Sequence, residues 1–140
     1  MDSIEHVKPY KDTSCALMLA AQELGHELVY LPKNGLCLDH GEAKATVQEV
    51  RVTDEISEPF AALGDPVKAS LSTLDVIVIR VDPPFNGEYL YSTHILERAK
   101  KQGVQVVNDP QAIRDCNEKL FATEFSDLMP KTVVSSNHED

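Results

Sequence analysis

Residues Leu74–Phe85, LDVIVIRVDPPF, decide the fold. Val76–Ile79 is an unbroken apolar run, which reads as a strand buried on both faces, as in a parallel sheet covered by helices. The run stops at a charge, Arg80, followed by Asp82 and two prolines. In open parallel sheets ligands sit beyond the carboxyl ends of the strands. From such an end a guanidinium can bind a carboxylate or phosphate in bidentate fashion. Pro83 and Pro84 would hold the loop rigid. Position alone leaves two other readings open: an internal Arg80–Asp82 ion pair, or an arginine extending into solvent.

Working outward, the pattern predicts alternating helices and strands. Asp12 and Thr13 are good N-caps, and Leu17, Ala20, Ala21 and Leu24 give a helical face that Gly25 ends. HELVYLP then reads as a short strand. LCLDHGEAKATVQEVRV reads as two strands around a turn at His40-Gly41, an antiparallel excursion at a sheet edge or a flap. SEPFAALGDPVKASLST reads as turns with one short helix. Beyond the proline loop, Glu88–Lys101 reads as a helix with Tyr91, Ile95, Leu96 and Ala99 inward, basic at its last turn and stopped by Gly103. VQVVN is a strand, and Asp109-Pro110 an N-cap followed by proline at the first helical position. The segment from Gln111 to Leu128 is helical, with a break expected near Asn117, and KTVVSS would start another strand. The expected order, α-β-(β-β)-β-α-β-α-β, implies a mostly parallel sheet with helices on both faces. Such domains open with a strand, and this chain opens on a polar loop, so the first strand is expected to be missing.

Composition narrows the function classes. The 140 residues fit one domain, and 42% hydrophobic residues supply a core. A net charge of −10 argues against nucleic acid and membrane surfaces as partners, since both select basic patches. No run approaches the about 18 apolar residues of a membrane span. The N-terminus has no signal-peptide pattern. Cys15, Cys37 and Cys116 lack C-x-x-C spacing and read as free thiols of a cytoplasmic protein.

Lys119, in RDCNEKLF, is the second candidate after Arg80: a lysine that can reach a phosphate or an adenine ring, or one that is simply solvated. Arg114 and Asp115 read as a helix-surface charge pair. There is no G-x-G-x-x-G after a strand, no Walker A loop and no G-x-S-x-G. The histidines have no metal-ligand spacing. The residues by themselves lead to an α/β domain binding a small anion, with no catalytic group and no metal ligand.

The sequence also resembles a family. MDSI, KDTS, RVDPPF, ILERAKKQG and VVNDPQAIRDCNEKLFATEFSDLMPKT are similar, block by block, to the N-terminal domain of bacterial glutathione synthetases, which are ATP-grasp ligases. The resemblance covers essentially the whole chain. It implies a Rossmann-like pre-ATP-grasp domain over residues 1–131 and, over 132–140, the start of a connection to an ATP-grasp domain. It implies ATP-dependent joining of γ-glutamylcysteine to glycine, with ATP and Mg2+ required and a homo-oligomeric assembly. Arg80 would hold a substrate carboxylate, Asp82 would order the substrate-binding loop, and Lys119 would contact bound ATP.

Two departures accompany the resemblance. The family's opening hydrophobic strand precedes the MD block, and its glycine-rich loop and acidic magnesium ligands follow PKTVVSS. The chain is therefore expected to be a synthetase fragment without ligase activity by itself. The alternative is a non-enzymatic α/β module that binds a ligand or oligomerises.

Overall fold

The computed structural model describes residues 1, 3–54, 59–116, 119–137 and 139. It is a mixed α/β structure organised around one long strand. The elements are α1 (Thr13–Glu23), β1 (Val29–Tyr30), β2 (Leu36–Asp39), β3 (Glu42–Val52), β4 (Ala61–Leu63) and β5 (Val67–Ser70). They continue with β6 (Val76–Val78), α2 (Gly87–Lys101), β7 (Gln105–Val107) and α3 (Pro110–Asp115), and a kinked 3-10 segment spans Phe121–Leu128.

β3 is the hub. It pairs antiparallel with β1, β2, β4 and β5. Lys44 and Ala45 are held by β2 on one side and β5 on the other. The expected turn is present: His40 and Gly41 both have positive φ, 49° and 84°, and reverse the chain between β2 and β3. This is a tight hairpin of the kind that favours glycine. The hairpin is no edge excursion, however, because β3 is the centre of a five-stranded sheet.

Burial along β3 changes phase midway. Ala43, Ala45 and Val47 are buried, then Val50 and Val52. Side chains alternate between faces of a strand, so the two halves bury opposite faces. The first half packs with Leu71, Leu96, Ala99, Val104 and Val106, and thus with α2 and β7. The second half packs with Ile4 and Tyr30, joined by Met18 and Leu19 of α1.

Among the described residues parallel pairing is confined to β6 and β7, joined through α2. The expectation of a mostly parallel sheet is corrected here: most described strand pairs are antiparallel, because β3 gathers four neighbours through short connections. Nor is β6 buried on both faces. Val76 and Val78 are 51% and 50% exposed, while Ile77 and Ile79 pack on the core.

Other expectations shift in detail. α1 is capped by Asp12, which accepts from Ser14 N, and ends before Gly25 at φ 83°. Its inner face is Ser14, Cys15, Met18 and Leu19, and Leu17 and Leu24 are exposed. Tyr91 of α2 is 71% exposed; Thr93, Leu96 and Ala99 form the buried face. The expected short helix after Phe60 is a 3-10 turn at Leu71–Thr73 following two strands. Residues 131–136 form no strand. The break expected at Asn117 lies outside the described residues. Among the described residues no helix is long and apolar enough to cross a membrane.

Candidate functional site

Arg80 stands where the sequence places it, beyond the carboxyl end of β6, and it is exposed. Its guanidinium is not paired with Asp82. Nε donates to Ser14 Oγ at 3.1 Å, across 66 residues of chain. Ser14 is buried in the first turn of α1. This helix start was read as a cap; its contact with Arg80 had no local signal.

The loop after Arg80 is fastened to the start of α2. Asn86 Oδ1 accepts from Tyr89 N at 3.0 Å and caps the helix. Tyr89 Oη donates to Val81 O at 3.5 Å, and its ring lies 5.1 Å from that of Phe85. The Pro83–Pro84 bond is cis. Asp82 lies exposed in this loop.

Lys119 is exposed beyond α3. That helix is strapped to α2 by charge. Asp109 caps it, accepting from Gln111 N and Ala112 N at 2.9 and 3.1 Å, and pairs with Lys100. The Lys100 ammonium, aided by the Ala112 N–H, holds the Asp109 carboxyl below the usual carboxylate range. Arg114 pairs with Glu97, not with Asp115, and its Nη1 donates to the buried Thr93 Oγ1 at 3.1 Å. Lys101, 2.7 Å away, and then Arg114 lower the Glu97 carboxyl likewise.

An apolar cleft adjoins this region. Met1, Leu31, Leu36, Ile77, Ile79 and Leu96 line it, and Val81 and Tyr89, which also line it, belong to the Arg80 loop and the start of α2. The Met1 ammonium donates to Leu31 O at 3.0 Å. The cleft lining is largely apolar, with Lys33, Ser92 and Thr93 among its polar members.

The cysteines are all free. Burial, with the Asp12 charge, pushes the Cys15 thiol up, which disfavours the reactive thiolate. Among the described residues no three His, Cys, Asp or Glu side chains gather as a metal site. Asp39 and Glu42 both pair with Lys44, at 2.9 and 3.2 Å.

The sequence matches the family model described as prokaryotic glutathione synthetase, N-terminal domain, over residues 1–114. It is 46% identical to the glutathione synthetase of Escherichia coli K12 over 137 residues, covering 98% of this chain and 43% of that protein. It is 44% identical, with the same coverage, to the glutathione synthetases of Salmonella typhimurium and Citrobacter rodentium. The chain thus spans less than half the length of these curated relatives. With a family match over most of its residues, the chain belongs to the prokaryotic glutathione synthetase N-terminal domain family.

Proposed function

We propose that this chain is the dipeptide-binding part of a glutathione synthase, the ATP-dependent ligase that joins γ-glutamylcysteine to glycine. The observation that carries the reading is Arg80, set beyond β6 and held by Ser14, in a chain 46% identical to glutathione synthetase. Arg80 takes a carboxylate of the dipeptide, the loop containing Asp82 shapes the approach, and Lys119 meets the nucleotide phosphates. In the full reaction a substrate carboxylate becomes an acyl phosphate as ATP becomes ADP. The glycine amine then attacks the acyl carbon and phosphate leaves. No step is assigned to magnesium on these residues. A cytoplasmic setting and assembly with copies of the same chain belong to this reading, and the free thiols are consistent with the former.

The same reading includes a Rossmann-like layout. Among the described strands β6 has a neighbour, β7, on one edge only. In this reading a further strand would extend the parallel pair at the largely apolar cleft beside β6. Adding an apolar strand ahead of Met1 should slow amide exchange at Ile77 and Ile79; unchanged exchange would refute this layout.

The functional test is a pair of titrations. Arg80→Ala should weaken γ-glutamylcysteine binding by roughly tenfold to a hundredfold, the worth of a charge-assisted hydrogen bond, and leave ATP binding alone. Lys119→Ala should do the reverse. Dipeptide affinity unchanged by Arg80→Ala would sink the assignment.

A further inference from the structure

A guanidinium has two edges that can grip a carboxylate in bidentate fashion: the end formed by the two Nη groups, and the side formed by Nε with one Nη. On Arg80 the side edge is taken. Nε donates to Ser14 Oγ at 3.1 Å. Among the described residues no acceptor pairs with the Nη groups. Only the end edge is left for a ligand.

Ser14 is itself well fixed. It is 7% exposed, and its backbone N–H donates to Asp12 Oδ1 at 2.7 Å. This bond commits the Asp12 carboxylate to the cap of α1. Cys15, beside Ser14, is 1% exposed, so the helix start is anchored in the interior. A long arginine at a strand end would otherwise sample many rotamers, and ordering it on binding costs affinity. The buried serine removes that freedom beforehand.

We propose that Ser14 is a positioning residue for dipeptide binding: it holds Nε of Arg80 so that the two Nη groups face a substrate carboxylate end-on. This rests on the role given to Arg80 above. Ser14 itself touches no substrate.

The test uses the 140-residue chain, γ-glutamylcysteine as the probe and the Arg80 Nε–Hε resonance as an independent readout. Ser14→Ala should lose the slowed exchange of that proton and weaken dipeptide binding by about three- to tenfold, the worth of one hydrogen bond. Ser14→Thr, which keeps the hydroxyl, should restore both, and all variants should melt alike. If Ser14→Ala binds the dipeptide as tightly as the unaltered chain while Arg80→Ala does not, the positioning role is overturned and the Arg80 reading stands. If Arg80→Ala also binds normally, or the unaltered chain does not bind the dipeptide, the Arg80 reading falls and this inference with it. Fast Hε exchange in the unaltered chain overturns the Ser14 contact directly.

Discussion

Gln22 of α1 completes the end of β3 as though it were a strand. Its Nε2 donates to Val52 O at 2.9 Å, and Val52 N donates to its Oε1 at 3.0 Å. Val52 is buried, so both backbone groups would otherwise lack partners in the interior. Gln22→Ala should cost about 1–3 kcal/mol, because unmet buried groups bear their full desolvation penalty. Chemical denaturation measures it; a change below about 0.5 kcal/mol would count against this anchoring role.

Leu71 is fully buried where the chain turns from β5 toward β6, and it packs with Leu96 and Ala99 of α2. Leu71→Ala should destabilise by about 2–5 kcal/mol through lost transfer energy and an unfilled cavity. The corresponding change at exposed Leu24 should fall within about 0.5 kcal/mol. Equal losses at both positions would contradict the burial described.

Gly35 marks a close approach. A Cβ there would lie 2.9 Å from Thr46 O and 3.1 Å from Pro32 O, both backbone atoms. The same glycine donates to Pro32 O and accepts from Thr46 N, each at 2.9 Å. Gly35→Ala should therefore cost about 1–3 kcal/mol by overpacking. Gly87→Ala, with open space around the Cβ, should be tolerated. A neutral Gly35→Ala would show that this crossing relaxes freely.

Acid should loosen the strap between α2 and α3. Lys100 lowers the Asp109 carboxyl pKa in the folded chain, and Lys101 and Arg114 lower that of Glu97. A depressed folded pKa contributes stability above the unfolded value, and the contribution is lost as pH falls through the folded value. Thermal melts from about pH 7 down to about pH 3 should therefore show stability falling through and below the ordinary carboxylate range. Asp109→Asn keeps a capping side chain and removes the charge, so its melting temperature should fall less steeply with acid. Parallel curves would exclude Asp109 as a contributor.

Local signals were legible where one residue decides the geometry. Asp12, Asp109-Pro110 and His40-Gly41 announced two caps and a turn that the structure contains. The alternation Ala43, Ala45, Val47, then Val50, Val52 was also present in the letters, and its change of phase is what lets β3 serve two cores. The inner face of α1 is not the apolar one its spacing predicts. Small Ser14 and Cys15 make the close approach, and Gln22 binds backbone while Leu17 stays outside. Thr93 likewise is buried although polar, since its hydroxyl donates to Leu90 O and accepts from Arg114. As for the site, Arg80 was conspicuous as a charge ending an apolar run. Ser14 was silent, since no periodicity links residues 66 positions apart.

The hub strand also leaves little open edge on its own sheet. β3 has neighbours on both edges along its first half, so the outer strands of its sheet are only two to four residues long. Such short edges are poor templates for intermolecular pairing. β6 is as short, but it carries half-exposed Val76 and Val78 beside a largely apolar cleft. Aggregation of concentrated solutions should therefore start at β6, and Val78→Lys should raise the protein concentration at which light scattering appears.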